Sequence, residues 1–244
     1  MSQKLAVFDI DGTLFRSGLH AEVFYELIKM GVMPSEVAEI TTAKHREWRH
    51  RLHGNAFEEF EKTMIGLLDA HIPKIKISDY EIAAQKVLEK KAENVYVYTR
   101  DLLKRLQSEG YFTIAISGSQ EALVEPFAKR YGFDDWVGQQ WSKGDEYFTG
   151  EVVKTHTGKD KLLQGFIEKY DLTLTDSYAV GDTNGDSGML SMVDNPIAFN
   201  PTHELIEKAF DNKWKVVIER KNVHYELVPA GDSDKYCLDN AKHI

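Results

Sequence analysis

Three polar clusters in the sequence combine residue types that could act on a phosphate group. Asp9 and Asp11 lie two residues apart, directly after an apolar run. Ser117 and Gly118 form a second cluster, and Asp182 begins a third. Neighbouring carboxylates repel each other and favour a cation between them. Because carboxylate oxygens without histidine or cysteine are typical magnesium ligands, the clusters predict a magnesium site that also binds phosphate.

A fourth candidate supplies positive charge. Lys159 opens a predicted helix between the second and third clusters. Its ammonium group, the Ser117 hydroxyl and the backbone N–H groups after that serine could hold phosphate oxygens. Phosphoryl transfer depends mainly on positioning and on charge neutralisation, and this set provides both. An aspartate nucleophile would divide hydrolysis into two easier steps through an aspartyl-phosphate.

Each of these candidates also has a purely structural alternative. The two N-terminal aspartates could belong to an ordinary turn, since turns favour aspartate and glycine. Ser117 could cap a helix, although Ser119 is also available for that role. Lys161 is a second lysine at the same helix start, and Asp186 could cap the helix that follows it. A basic run at 44–53 could bind an anion or lie on a solvated helix face.

Strands that alternate with helices must bring the clusters together. Residues 4–8 form an apolar run, and further strand patterns cover 111–116, 177–180, 196–199 and 215–218. Helical patterns separate most of these runs, which predicts an α/β fold with a parallel sheet covered by helices on both faces. Ligands of such sheets bind beyond the carboxyl ends of the strands. The polar clusters are therefore expected to lie along one edge of the sheet.

The segment 17–93 differs from the rest of the chain. Its apolar residues recur at helical spacing and strand signals are nearly absent. We therefore predict a discontinuous organisation, with 1–16 plus 94–244 as the α/β core and 17–93 as a helical insert. The aromatic, turn-rich stretch 136–153 predicts a short hairpin. The polar segment 231–244 is expected to be loosely ordered.

Composition restricts the expected partners and location. The 244 residues include 42% hydrophobic residues, enough for a sizeable core. The formal net charge of −9 repels polyanions, so neither nucleic acid nor a membrane is an expected partner. Cys237 is the only cysteine, and the sequence shows neither a signal peptide nor a long apolar span, which predicts a cytoplasmic protein. The oligomeric state cannot be inferred from the sequence.

The clusters together resemble a known family. Asp9-Ile10-Asp11-Gly12-Thr13 matches the DxDGT signature of the haloacid dehalogenase (HAD) superfamily. Ser117, Lys159 and the run Gly181–Asp186 match its other three motifs, in the same order. The end of the chain resembles the phosphoserine phosphatase-like subfamily, so the resemblance covers the whole sequence. It implies a Rossmann-like core with an inserted α-helical cap, and a magnesium-dependent phosphatase acting on a small phosphorylated metabolite.

The resemblance also implies a role for each motif residue. Asp9 would be the nucleophile, and Asp11 would act as general acid and then as general base. Asp9, the backbone carbonyl of Asp11, and Asp182 would bind Mg²⁺. The residues implied to bind phosphate are Ser117, Gly118 and Lys159, and those implied to support the site are Gly12, Thr13 and Asp186.

The sequence departs from true phosphoserine phosphatases at two positions implied to bind substrate. Gly18 aligns with a glutamate that binds the substrate amine, and Met64 aligns with an arginine that binds the substrate carboxylate. Both differences remove a charge that would hold a serine zwitterion, so we predict that phosphoserine is not the favoured substrate. Phe15, Arg16, His20 and Met64 are the candidates for substrate contact.

Two other functions stay open at this point. A phosphotransferase on the same scaffold would pass the phosphoryl group from the aspartyl-phosphate to an alcohol instead of water. A non-catalytic protein could use the fold only to bind a phosphorylated ligand, although it would have no need for Asp11.

Overall fold

The structure is a computed structural model that describes residues 2–155, 158–231 and 235–243. Its strands are β1 (Gln3–Phe8), β2 (Phe112–Gln120), β3 (Asp135–Lys143), β4 (Phe148–Val153), β5 (Leu172–Gly181), β6 (Asn195–Phe199), β7 (Lys215–Arg220), β8 (Val223–Pro229) and β9 (Tyr236–His243). Its helices are α1 (Leu19–Lys29), α2 (Ser35–Arg49), α3 (Ala56–His71), α4 (Ile77–Lys91), α5 (Val97–Ser108), α6 (Glu121–Arg130), α7 (Lys159–Tyr170), α8 (Ser187–Leu190) and α9 (His203–Asp211). Short 3-10 turns occupy Ile72–Lys74 and Asn184–Asp186.

The chain divides into two units with separate packing. The first, here the core unit, comprises Met1–Gly18, Ala92–Gln139 and Lys154–Ile244. The second, here the helical unit, comprises Leu19–Lys91 and Gln140–Val153. The hairpin region at 140–153, which the sequence prediction assigned to the core, thus packs with the helices. That the helical unit acts as a cap stays a prediction.

The core unit is built on a parallel sheet. Strands β3, β2, β1, β5, β6 and β7 are neighbours in that order and run parallel, and β8 and β9 continue the sheet as antiparallel strands. Leu5 to Phe8 of β1 have no exposed surface. Such a continuous apolar run is typical of a central parallel strand covered on both faces. The predicted α/β fold class is confirmed.

Helices α7, α8 and α9 cover one face of this sheet. Their apolar residues pack against those of β1, β2, β5, β6 and β7 in one cluster. Leu163 of α7, Met189 of α8 and Leu205 of α9 are fully buried there. Since each such side chain contributes roughly 1.5–3 kcal/mol by leaving water, the cluster holds the strand ends in a fixed arrangement.

The end of the chain contradicts one expectation. Residues 231–244 were expected to be loosely ordered, but Tyr236–His243 form β9, which pairs with β8 along its length. The Tyr236 hydroxyl donates to the carbonyls of Ala209 (2.8 Å) and Trp214 (2.6 Å). Backbone pairing and this one anchored tyrosine order a segment whose polar composition alone indicated a loose tail. Residues 232–234 and 244 lie outside the described part of the chain.

The helical unit has its own core. Helix α1 packs against α4, and α2 packs against α3. The hairpin predicted at 136–153 is confirmed, because β3 and β4 pair antiparallel from Gln140↔Val153 to Lys143↔Phe148. Tyr80 of α4 is 4.8 Å from Trp141 and 5.7 Å from Phe148, measured between ring centroids. This aromatic cluster explains why the hairpin belongs to the helical unit. Within the described ranges, none of the helices has the length and hydrophobicity needed to cross a membrane.

Candidate active site

The site lies where β1, β2 and β5 end. Asp9 follows β1, Ser117 lies near the end of β2, and Asp182 follows β5. The Asp9 N–H donates to the Val180 carbonyl at 2.9 Å, so the loop after β1 is held against β5. Because the three strands are parallel neighbours, their carboxyl ends converge, as the sequence pattern indicated.

Lys159 is the centre of the site. Its Nζ is 2.6 Å from Asp9 Oδ1, 2.6 Å from Asp186 Oδ1 and 3.0 Å from the Ile116 carbonyl oxygen. These acceptors match the three donors of an ammonium group. Lys159 is only 4% exposed, whereas Lys161 is exposed. The geometry therefore distinguishes the two lysines at this helix start and places Lys159 in the site.

Burial and neighbouring charges both shift the pKa values of these groups. Burial raises the pKa of the Asp9 carboxyl to about 8; Lys159 opposes the rise, and charges on Asp186 and Asp11 add to it. Burial also raises the pKa of Asp182 well above its usual value, and Asp9 and Asp186 contribute to that rise. Burial lowers the pKa of Lys159, but Asp186 and Asp9 outweigh this effect and leave it above its usual value. The cluster thus holds more negative charge than one lysine neutralises, and a further cation would be favourable.

Asp186 supports the other aspartates. While its Oδ1 accepts from Lys159, its Oδ2 accepts from the N–H groups of Asp182 and Thr183, both at 3.0 Å. A Cβ at Gly181 would lie 2.4 Å from the Asp186 Cβ, so only glycine fits this close approach. With both carboxylate oxygens engaged, Asp186 closes the turn after β5 and orients Asp182 and Lys159.

Gly12 and Thr13 bring the loop after β1 into contact with Asp182. Gly12 has φ +82°, and a Cβ there would lie 2.1 Å from Asp182 Oδ2. The Thr13 hydroxyl donates to Asp182 Oδ1 at 3.1 Å. Thr99 of α5 holds the same loop by donating to the Thr13 carbonyl at 2.9 Å. Gly12 is thus required both for its backbone conformation and for the space beside it.

The Asp11 carboxylate is oriented by two serines. Ser117 Oγ donates to Asp11 Oδ2 at 2.6 Å, and Ser119 Oγ donates to Asp11 Oδ1 at 2.9 Å. The Ser119 N–H donates in turn to Ser117 Oγ at 2.9 Å. Gly118 lies between them and is partly exposed.

Two residues of this region were not predicted as site residues. Ser119 was considered only as a helix cap, although residues two apart in a strand share a face, and its spacing from Ser117 was therefore the available signal. Thr155 was also missed; its hydroxyl donates to the Ser117 carbonyl.

The donor set fits magnesium. Oxygen atoms of Asp9, Asp182 and Asp186 lie within 4.8 Å of one another. Asp9 Oδ2 is buried and has no hydrogen-bond partner among the described residues. Buried carboxylate oxygens are rarely left without a partner, and a cation bound here would give this atom one. Magnesium prefers oxygen ligands and commonly takes only one or two carboxylates together with substrate phosphate.

Two of the predicted substrate-contact residues, both in the core unit, have structural partners. Phe15 is fully buried and packs edge-on against Phe127, with 5.8 Å between ring centroids. It therefore exposes no surface to a ligand in this structure. Arg16 donates from Nη2 to Glu219 Oε1 and from Nε to the Val95 carbonyl, both at 2.8 Å. Its guanidinium is thus held between Val95, just before α5, and Glu219 of β7.

The other two predicted substrate-contact residues belong to the helical unit. Met64 is 1% exposed and lies on the buried face of α3, where its side chain is part of the packing. His20 is half-buried near the start of α1. Gly18, which replaces the expected glutamate, is the last residue of the first segment of the core unit.

Buried, oxygen-only acidic groups around one lysine are suited to an enzyme that transfers phosphoryl groups. A family model described as haloacid dehalogenase-like hydrolase matches residues 6–191, which is most of the chain. The chain therefore belongs to the haloacid dehalogenase-like hydrolase family, and the resemblance drawn from the motifs is confirmed.

Several curated relatives of the chain are named phosphatases. Histidinol-phosphatase of Neisseria meningitidis serogroup C is 27% identical over 227 residues, which cover 88% of this chain and 98% of that protein. Phosphoserine phosphatase of Methanocaldococcus jannaschii is 26% identical over 212 residues, covering 85% and 90%. A solved phospho-aspartyl intermediate analogue of phosphoserine phosphatase has a similar fold, with a TM-score of 0.62, 22% identity, and coverage of 91% and 95%. The chain is accordingly a phosphatase of the HAD family.

Proposed function

We propose that this phosphatase hydrolyses small phosphate monoesters through an aspartyl-phosphate formed on Asp9. The proposal rests on the contacts of the two Asp9 carboxylate oxygens. One oxygen is paired with Lys159, and the other is buried without a partner in the described part of the chain. Such a carboxylate is fixed in position and poorly solvated, as a nucleophile should be.

In the first step, an Asp9 oxygen bonds to phosphorus and the bond from phosphorus to the substrate's alcohol oxygen breaks. The leaving oxygen takes a proton from Asp11, whose carboxyl group the Ser117 and Ser119 hydroxyls hold before the substrate binds. When the substrate binds, the Ser117 hydroxyl turns from Asp11 to a phosphate oxygen, while Ser119 keeps its hydrogen bond to Asp11. Lys159 exchanges one of its acceptors for a phosphate oxygen, and the backbone N–H of Gly118 binds another. The Asp9 carboxylate, Asp182 and the Asp11 backbone carbonyl would hold Mg²⁺, which supplies charge that keeps Asp9 ionised and neutralises phosphate.

In the second step, a water molecule attacks the phosphorus of the aspartyl-phosphate. Asp11, now deprotonated, accepts a proton from that water, and the bond between phosphorus and Asp9 breaks to release inorganic phosphate. Asp11 returns to its starting protonation state, so atoms and protons balance over the cycle. Lys159 and Asp186 keep Asp9 in place throughout.

The favoured substrate is a small phosphorylated metabolite other than phosphoserine. The absence of charge at Gly18 and Met64 supports this, since neither can bind the amine or carboxylate of a serine. A relative named histidinol-phosphatase, aligned over 98% of its length, is consistent with a different leaving alcohol. Kinetics with phosphoserine and histidinol phosphate side by side test the preference. A kcat/KM for phosphoserine well above that for the other monoester would refute it.

The chemistry itself is tested with a generic aryl phosphate. We expect hydrolysis that requires added Mg²⁺ and is lost in Asp9→Asn. The matched control is Asp211→Asn, which removes an exposed carboxylate at the end of α9 and should retain activity. Activity that survives in Asp9→Asn would show that Asp9 is not the nucleophile.

A phosphotransferase remains the second candidate on the same residues, because the aspartyl-phosphate could react with an alcohol in place of water. Adding alcohol acceptors to the aryl phosphate assay and measuring transferred against free phosphate separates the two. We expect free phosphate to dominate. A phosphorylated alcohol as the main product would assign the chain to the phosphotransferases.

A further inference from the structure

A second cavity lies in the core unit, between α5 and the antiparallel strands at the end of the sheet. Its volume is about 650 Å³, which lies in the range of small-molecule sites. It shares no lining residue with the aspartate cluster. Its charged lining comprises Arg100, Arg105, Lys215 and Lys242, with Asp101 and Glu226.

The pairing of β7, β8 and β9 creates this surface. Glu219 of β7 is opposite His224 of β8, and His224 is opposite Lys242 of β9, so the three side chains share one face of the sheet. Glu226 lies on the same face two residues after His224. Alternation along β8 therefore places its buried polar residues towards α5, while Tyr225 between them is exposed.

His224 is a buried side chain with one ring nitrogen that the protein does not engage. It is 7% exposed, and its Nδ1 has no hydrogen-bond partner within the described ranges. Its Nε2 lies 3.4 Å from Glu226 Oε1, close enough for an ion pair. The ring is held edge-on by Tyr98, with 4.9 Å between centroids. A buried imidazole nitrogen that lines a cavity and lacks a partner indicates a ligand or ordered solvent in that cavity.

The charged residues that line the cavity indicate which class of ligand it can bind. Three of the cations have carboxylate partners, since Arg100 pairs with Asp101, Lys215 with Glu226, and Arg105 with Glu109, which does not line the cavity. The lining itself still holds four cations, Arg100, Arg105, Lys215 and Lys242, against two carboxylates, before any histidine is protonated. The whole chain carries a net charge of −9, so this concentration of cations is a local feature. Guanidinium and ammonium groups around a buried imidazole are suited to oxyanions.

We propose that the cavity between α5 and β7–β9 is a second binding site, which takes a small metabolite through a phosphate or carboxylate group. Arg105 and Lys242 bind the anionic group, His224 donates a hydrogen bond to it, and Tyr98 forms an apolar wall. The site does not depend on the phosphatase reaction, because its residues are separate from those that act on the substrate.

The test follows His224 directly by NMR of protein labelled at histidine, with the His224 signal assigned by its loss in His224→Gln. Inorganic phosphate and succinate are titrated separately, so that the phosphate and carboxylate arms are distinguished. We expect a saturable shift of the His224 signal with at least one anion. In the double variant Arg105→Gln/Lys242→Gln, the affinity should fall about tenfold or more, because both charged donors are lost.

The matched control is Lys104→Gln, which removes an exposed cation from α5 next to Arg105 but outside the cavity. It should bind with wild-type affinity. Circular dichroism of each variant confirms that it is folded. The proposal is overturned if neither anion gives a saturable shift, or if the double variant binds as tightly as Lys104→Gln. The latter outcome would mean that the shift arises from binding elsewhere, such as at Lys159.

Discussion

Two lysines in this chain each bridge a pair of carboxylates, one in each unit, and they differ mainly in burial. Lys159 lies 2.6 Å from both Asp9 and Asp186, and its side chain is 4% exposed. Lys44 of α2 lies 2.8 and 3.0 Å from two glutamates, and its side chain is 31% exposed. The lysine–carboxylate distances are therefore similar in the two groups, but one group is buried and the other is in contact with water.

The exposed group around Lys44 shows how a lysine with two carboxylates behaves in contact with water. Lys44 lowers the pKa of Glu47 chiefly through a hydrogen bond, and His53 lies 3.8 Å from both Glu47 and Glu59. Solvent screens these charges, so each can stay ionised without its partner. Around Lys159, burial instead raises the pKa of Asp9 to about 8. Burial, rather than the residue types, converts a lysine with two carboxylates into a reactive site.

The largest effect should follow from removing the buried lysine. Lys159→Gln leaves two buried carboxylates without their cation, and we expect unfolding by urea to show a loss of about 3–5 kcal/mol. Phosphatase activity should also be lost, because the phosphate would lack its cationic partner. A variant as stable as wild type would show that the buried carboxylates simply become protonated.

A second prediction concerns pH in the absence of metal. The folded pKa of Asp9 is raised above its unfolded value, so its contribution to stability is present at low pH and is lost as pH rises towards about 8. With a chelator present, wild type should lose stability relative to Asp9→Asn between pH 4 and 8. Urea midpoints across that range measure the difference. Parallel curves would show that Lys159 alone compensates the Asp9 charge.

The third prediction separates backbone strain from side-chain collision. Gly12 and Gly110 both have φ +82°, but only Gly12 has a neighbour where a Cβ would lie, namely Asp182. Alanine at either position should cost roughly 1–2 kcal/mol through the left-handed conformation. Gly12→Ala should in addition displace Asp182 and lower kcat, while Gly110→Ala leaves kcat unchanged. Equal activity in the two variants would mean that Asp182 tolerates displacement.

A smaller effect is expected from Ser119, whose hydroxyl donates a hydrogen bond to Asp11. Ser119→Ala should lower kcat by about tenfold, because Asp11 loses one of the hydrogen bonds that orient it. KM should change little, and Ser119→Thr should restore part of the rate. Loss of stability with unchanged kcat would instead indicate a purely structural serine.

Ser119 also illustrates what the sequence could and could not predict. The motif residues Asp9, Lys159 and Asp182 follow from local patterns, since strand ends and helix starts are visible in the sequence and parallel strands bring them together. The fold class is predictable for the same reason. Ser119 was considered only as a cap. Its two-residue spacing from Ser117 indicates that both lie on one face of the strand, but not which carboxylate that face meets.

Non-local packing accounts for the remaining differences. Strands β8 and β9 were not predicted. The buried residues of β8, His224 and Glu226, are polar, and most side chains of β9 are exposed, so neither strand shows the apolar run that reveals a buried strand. The packing of 140–153 against the helices rests on Tyr80, which contacts Trp141 and Phe148 of the hairpin and lies far from both in sequence. The cavity at His224 likewise requires four separate segments to meet. Such features depend on tertiary contacts that no single window of sequence contains.

The smallest effect should come from the exposed lysine, which is the direct counterpart of Lys159. Lys44→Gln removes a cation that contacts two carboxylates, as Lys159→Gln does, but water can solvate the glutamates that remain. We expect a melting temperature within about 2 °C of wild type and unchanged phosphatase activity. A loss of stability comparable to that of Lys159→Gln would mean that charge pairing, and not burial, distinguishes the two lysines. A loss of activity without a loss of stability would instead show that the helical unit uses this charge in binding the substrate.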